Sequence, residues 1–427
     1  MKMFFGSKRG TASVFLMMIL ASMILVTGLF VHAASRTAGR SYTDAVLELA
    51  GRSILSEYDI PLQERYGIFA VQAEQSQMEA KLKYYADYSF HNNYLKELTR
   101  GRKYLDPLKL DMESVYVDLK GYSITNTELF EKQILEHMKK GIVKNLLDAD
   151  EGAALKRLDI ELKNQQVINS LPSHGYSVNA PDIGQLVREG IPSIESIRDS
   201  GSNNFLVNEY IMGCFRNHNG GKETRDTFFL NEVEYILSGK FSDQKNYKDV
   251  RGELLLMRVG LNSLHIFSDP VKRNEVTSLA SLLTPGPGAL VTEALIVAAW
   301  AAAEAENDIR RLEDGKEAAL LKTRDQWALD LERAVKYNEK NPDEIEPKKE
   351  SGGYAEPRLK NGNDYEEYLR ILLFLENREI KLLRCMDLIQ LNMKGSYRKD
   401  FDLKGYYGGF QFEAVVQGKT HSYIQKY

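Results

Sequence analysis

The sequence is poor in cysteine and proline, and it has none of the short signatures that most catalytic sites leave. Cys214 and Cys385 are the two cysteines in 427 residues. Two thiols exclude a disulfide-built scaffold. A single bridge between them is open only if the body is exported, and sequence fixes no distance between them. Proline occurs 11 times, and the long periodic stretches without it predict a helix-rich body. The net charge of −4 is spread along the chain, which excludes the clustered basic footprint of a nucleic-acid binder. GxSxG, HExxH, GxxxxGKS/T and CxxC are all missing, so hydrolase, metalloprotease, phosphate-loop and dithiol chemistry lack their usual residues. No repeat of fixed period is present.

The near misses are weak. Gly418-Lys419-Thr420 is like the end of a phosphate loop, but the first glycine of the loop is missing. Gly286-Pro287-Gly288 lacks a third glycine and follows no strand. Cys214 and His218, four apart, make half a zinc site; the plainer account is a packed thiol beside a surface histidine. His265, among Leu264, Ile266 and Phe267, reads as a satisfied core histidine. Glu293 interrupts the apolar run of residues 289–303, and Glu304 follows three helical turns later on the same face. A polar stripe on a buried helix explains both. That run is also too short and too charged to be a second membrane span. The sequence thus assigns no catalytic, cofactor-binding or metal-ligating residue, and no enzyme activity is expected.

What the chain does have is one long hydrophobic segment. Residues 11–34 contain no Asp, Glu, Lys or Arg. As a helix they span roughly 36 Å, enough to cross a ~30 Å hydrocarbon core. Lys2, Lys8 and Arg9 before it, and Val31-His32-Ala33 at its end, also fit a cleaved signal peptide. The run exceeds the roughly 7–15 apolar residues of such a peptide, which favours a permanent anchor. Arg36, Arg40 and Arg52 match the basic residues in front, so charge bias does not set the direction. The short tail and large body place the N-terminus inside and the body outside. Tyr42, Val46 and Leu49 keep helical spacing, which predicts one helix from the anchor to about residue 57.

Further on, residues 66–71 read as a short strand and residues 76–100 as a helix. Val115, Val117 and Leu119 alternate as a strand does. Thr125-x-x-Glu128 is a capping box before a helix carrying Phe130, Ile134, Met138 and Ile142; helical character resumes past a break near 148–152 and ends about residue 166. Residues 171–204, with Pro172, Pro181, Pro192 and Gly201, read as an irregular linker. Short helix 208–215, strand 232–237 and helix 248–267 follow. Residues 337–364 read as a solvated loop, and residues 365–393 as one long amphipathic helix. At the C-terminus, Phe410, Phe412, Ala414 and Val416 predict a hairpin turning at Gly418-Lys419 in a II′ turn.

Lys8-Arg9-Gly10-Thr11-Ala12-Ser13-Val14-Phe15-Leu16 resembles the start of TadE/TadG-like proteins of tight-adherence (Flp) pilus systems. Leu49-Ala50-Gly51-Arg52-Ser53, Tyr66-Gly67-Ile68-Phe69, Glu234-Tyr235-Ile236-Leu237 and the Trp300 and Trp327 regions are similar to an uncharacterised family of surface proteins of Gram-positive anaerobes. The resemblance implies a membrane-held component that contacts pilus or secretion-system proteins. Pilin-type substrates carry Glu at the fifth mature position; cleavage after Gly10 would place Phe15 there, which points to an accessory or minor component.

The expected fold is α+β and helix-rich: an N-terminal transmembrane helix extended into a projecting helix, an extracytoplasmic mixed head and a C-terminal β-hairpin. The expected divisions are a cytoplasmic tail 1–10, a membrane helix 11–34, a helical stalk 35–105, an α+β region 106–205 ending in a linker, and a helix-rich domain 206–427. The expected partners are a lipid bilayer and pilus or secretion proteins, with no nucleic acid. An anchored adhesin or binding module, and more weakly an anchored hydrolase, are the alternative functions.

Overall fold

The computed structural model describes residues 9–91, 110–141, 165–176, 203–220, 226–339 and 354–427. In chain order it begins with α1 (Arg9–Leu55), α2 (Ile60–Tyr66), β1 (Val71–Gln72), α3 (Gln75–Phe90) and β2 (Met112–Asp118). There follow α4 (Thr127–Gly141), α5 (Gln165–Ser170), α6 (Asn203–Cys214), α7 (Glu232–Ser238), α8 (Asp243–Ser268) and α9 (Pro270–Leu283). Then come α10 (Ala289–Glu313), α11 (Leu331–Glu339), α12 (Tyr365–Leu375) and α13 (Arg378–Ser396). Strands β3 (Tyr406–Tyr407), β4 (Gly409–Val416) and β5 (Lys419–Lys426) end the chain. The fold is the helix-rich α+β class, with the long apolar N-terminal helix and the terminal hairpin in place.

Helix α1 is unbroken over 47 residues, about 70 Å at the helical rise. Between residues 14 and 31 every large apolar side chain is exposed. The most apolar window has a mean hydropathy of 2.7 with none of it buried, and the helix is long and apolar enough to cross a membrane. A helix of this kind near an N-terminus is a single-pass anchor or a signal sequence.

Contacts divide the chain into two units. The first gathers Met1–Ile60, Phe69–Ile124 and Lys404–Tyr427. Its sheet has the order β2-β4-β5, antiparallel throughout, and β1 pairs with β3. Phe410, Phe412, Ala414 and Val416 alternate inward from central strand β4, as their period of two requires. They pack on Leu47, Ala50 and Ile54 of α1 and on Met78, Leu82, Ala86 and Phe90 of α3. The buried stripe of α1 is Thr43, Val46, Leu47, Ala50 and Ile54, whereas Tyr42 and Leu49 are exposed. The hairpin turns one residue earlier than expected. Gln417 and Gly418 take φ of 50° and 67°, so both central residues are left-handed and the turn is of type I′, whose twist suits a two-residue hairpin.

The second unit comprises Pro61–Ile68 and Thr125–Leu403. These units interleave along the chain, where the sequence reading drew consecutive segments; its boundary at 205/206 falls inside α6. Helices α8, α9, α10 and α11 pack together around Ile266, Val276, Val297, Trp300 and Ala301. Helix α13 is buried on nearly every side from Ile380 to Met393, the pattern of a central core helix.

Several local expectations are corrected. Tyr66 closes helix α2, and the strand is Val71–Gln72. Asn126, rather than Thr125, caps α4: its Oδ1 accepts from the amides of Glu128 and Leu129 at 3.0 and 3.4 Å. The expected helix 76–100 is described to Phe90; its remainder, residues 142–164 and the linker residues 177–202 lie outside the described residues. Residues 232–237 form helix α7, not a strand. The long helix 365–393 is two helices, because the Asn377 side chain accepts from the amides of Glu379 and Ile380 at 2.9 and 3.2 Å and starts α13 afresh. Part of the expected loop 337–364 is docked: Tyr354 is buried, and Asn307 exchanges hydrogen bonds of 2.6 and 2.9 Å with the Ala355 backbone. Residues 340–353 lie outside the described residues.

Candidate functional site

The most concentrated chemistry of the second unit lies where α8, α9, α10 and the segment after α10 meet. Asp269 begins it. Its carboxylate caps α9, accepting from the Val271 and Lys272 amides at 2.9 and 3.3 Å, with Pro270 in the first turn where its missing N–H costs nothing. The other oxygen accepts from Arg324 Nε at 2.5 Å. The Arg324 guanidinium and the two amides hold the Asp269 carboxyl down at about 2.

Capping by Asp269 aims Lys272 into an aromatic cage. Its Nζ lies 3.9 Å from the ring centre of Trp300 and 3.8 Å from that of Trp327. Such indole faces favour the ammonium, while burial pushes it down to about 8, with Glu304 opposing. Both indoles are fixed: Trp300 Nε1 donates to the Leu329 carbonyl at 3.0 Å and Trp327 Nε1 to His265 Nδ1 at 3.1 Å.

Beneath the cage lies an ion cluster. Arg258 Nη2 donates to Asp308 at 2.5 Å, and its Nη1 donates to the carbonyls of Ala319 and Leu320 at 2.6 and 2.9 Å. Lys322 pairs with Asp308 at 2.7 Å and with Glu304. Glu304 also accepts from the amides of Ala328 and Leu329 at 2.9 and 2.8 Å. Arg258, Glu304 and Asp308 are wholly buried, and each is multiply hydrogen-bonded, the condition under which buried charge is tolerated. The cluster therefore clamps residues 318–329 onto α8 and α10 and holds the cage in shape.

Above the cage the surface is apolar. Thr292, Leu295, Ile296, Ala299 and Trp300 of α10 face Leu331, Ala334 and Val335 of α11 across a groove of ≈170 Å³. It runs toward the joined ends of α9 and α10, where Leu282 and Leu290 are 78% and 74% exposed and Leu283, Val291 and Leu295 are exposed with them. The Thr284-Pro285-Gly286-Pro287-Gly288 turn that joins the helices makes this tip. What the groove can do is hold an apolar side chain or helix face on a rigid, tryptophan-backed floor.

The residues singled out from sequence are scattered. Cys214 ends α6 while His218 lies beyond it in a turn, so they do not share a helix face. His218 stacks on Tyr247 with centroids 4.0 Å apart. Cys214 and Cys385 are free thiols, and burial pushes the Cys385 thiol well up. Among the described residues no three His, Cys, Asp or Glu side chains are gathered as for a metal ion. His265 is half-buried and bonded to Trp327. The expected Glu293–Glu304 stripe does not hold as one environment: Glu293 is partly exposed and Glu304 is buried in the ion cluster. Lys419 belongs to the hairpin, with no phosphate loop around it. Sequence reasoning missed Arg258, Lys272, Asp308 and Lys322. Asp308 shared a helix with Glu304, four residues on, and that spacing was the available signal.

Comparison with known proteins gives a family. The model of a family described as "Family of unknown function (DUF5702)" matches residues 125–418. No curated protein and no solved structure matches. The match begins where the long segment of the second unit begins and takes in the whole cage and ion cluster. With more than half of its length matched, the chain belongs to this family of unknown function, DUF5702.

Proposed function

We propose that the protein is a single-pass membrane protein, N-terminus in the cytoplasm and body outside, that serves as an accessory or minor-pilin-like component of a tight-adherence type pilus or secretion apparatus through protein contacts. The observation that carries the contact role is the apolar tip of α9 and α10. Five large apolar side chains, Leu282, Leu283, Leu290, Val291 and Leu295, stand exposed together beside the tryptophan-backed groove. Patches of that kind on a folded body mark interaction surfaces. The membrane part rests on the exposed apolar length of α1, and the apparatus on the likeness of residues 8–16 to TadE/TadG-like proteins.

The test is a photo-crosslinking residue at position 290 in growing cells. Crosslinks to proteins of a membrane assembly, lost in a Leu283→Glu/Leu290→Glu variant that melts like the parent, are expected. A surface-located protein with no crosslink at position 290 overturns the contact role. Protease added to protoplasts should degrade the body and spare a short N-terminal fragment; a protected body overturns the orientation.

A further inference from the structure

A second cavity, of ≈240 Å³, lies in the first unit beside α1, just past the apolar run. Its wall on α1 carries His32, Arg36 and Arg40, spaced by four and so stacked on one face. From the other end of the chain, Lys419 and His421 of β5 complete it; two apart on a strand, they point to the same side. Arg36, Arg40 and Lys419 have no ion-pair partner among the described residues. The acid one turn further along α1, Asp44, is engaged by His421 Nδ1 at 2.8 Å and by the Tyr423 hydroxyl at 2.5 Å. Three cations thus line one cavity, with the Asp44 carboxylate beside Arg40 offsetting them only in part, a convergence that favours an anion.

Depth identifies the anion. Arg36 and Arg40 lie two and six residues beyond the end of the apolar run at residue 34, about 3 and 9 Å along the helix axis. The headgroup layer reaches roughly 5–8 Å beyond each face of the hydrocarbon core. Arg36 therefore lies within the headgroup layer and Arg40 at its outer edge, so the pocket opens toward the lipid phosphates. We propose that this pocket binds the phosphate headgroup of an anionic phospholipid, with Arg36, Arg40 and Lys419 as its ligands. The inference rests on α1 being a retained anchor. It also accounts for arginines that flank the apolar run on the side opposite the basic tail.

The full-length chain in neutral detergent, titrated with short-chain phosphatidylglycerol and phosphatidylcholine and read by native mass spectrometry, tests it. One saturable phosphatidylglycerol is expected, with no comparable phosphatidylcholine. Each of Arg36→Gln, Arg40→Gln and Lys419→Gln should weaken it about fivefold. Melting temperature and carbonate-resistant insertion into phosphatidylcholine vesicles should stay as in the parent. Equal binding of both lipids, or a triple variant that loses less than twofold, overturns the pocket while leaving the anchor standing. Displacement by millimolar inorganic phosphate as readily as by the lipid makes a free anion the occupant and also overturns it. Failure of the unaltered chain to resist carbonate overturns the anchor reading itself.

Discussion

Arg258 and Asp308 form an ion pair with Nη2 2.5 Å from Oδ2 and neither side chain exposed to solvent. Breaking such a pair leaves one charge buried alone. Arg258→Met or Asp308→Asn should each lower stability by about 3–5 kcal/mol. The double variant should lose less than the sum, because it leaves no charge orphaned on that side. Urea unfolding of the four proteins decides this; additive losses would mean that the two groups stabilise the fold independently.

The Lys272 ammonium is held down at about 8 by burial, below its ordinary 10.5. Between those values the folded chain binds fewer protons here than the unfolded one. Stability from this group therefore rises as pH climbs from about 8 to 10.5. Lys272→Met, close in volume and without the charge, should remove that rise. Thermal melting of both proteins across the window is the measurement, and parallel curves would contradict it.

Glu234 behaves in the opposite sense. Burial raises it from 4.5 to about 7, against hydrogen bonds from the His218 amide and the Tyr365 hydroxyl. Its Oε2 has no hydrogen-bond partner. The folded chain keeps a proton that the unfolded chain releases, so this group's stabilisation is full below pH 4.5 and lost as pH rises through 7. The change is about 3 kcal/mol. The difference between parent and Glu234→Gln should show that slope. A difference flat from pH 4.5 to 7 would place Glu234 in contact with water.

Gly239 ends α7 with φ of +71°, and a Cβ there would lie 2.7 Å from Arg384 Nη2. Arg384 donates to the carbonyls of Ile236 and Leu237 at 2.7 and 2.5 Å, satisfying the end of a buried helix. Gly239→Ala should therefore cost more than about 1 kcal/mol. A thermal melt at the parental temperature would rule out this account.

Ile24 is at the centre of the apolar run and exposed. Ile24→Arg should impair insertion, a central arginine costing roughly 2.5–3.5 kcal/mol. Carbonate extraction reads the outcome; undiminished membrane retention would count against a spanning helix.

The long apolar helix, its continuation and the hairpin were legible because each rests on a local pattern. Residues 11–34 carry no Asp, Glu, Lys or Arg, and Phe410 to Ala414 alternate apolar with polar. The α7 helix was not legible: Glu232-Val233-Glu234-Tyr235 alternates like a strand, yet both glutamates are buried. Glu232 accepts from the Arg216 amide at 2.9 Å and from Asn392 at 2.6 Å. Partners 16 and 160 positions away decided that segment. The cage was hidden for the same reason. Lys272, Trp300 and Trp327 are ordinary residues until α9, α10 and the following segment bring the ammonium to 3.9 and 3.8 Å from the two ring centres.

The covered stripe of α1 has a consequence for how the chain is made. Val46 through Ile54 pack against β4, which follows every described helix in chain order. Helix α1 is made well before β4, and its flank stays apolar and bare until that strand arrives. Closure of the first unit is thus a report that translation has passed β4. A chain stopped before residue 409 keeps helix α1 and lacks the cover for its apolar flank, so truncated copies expose that flank.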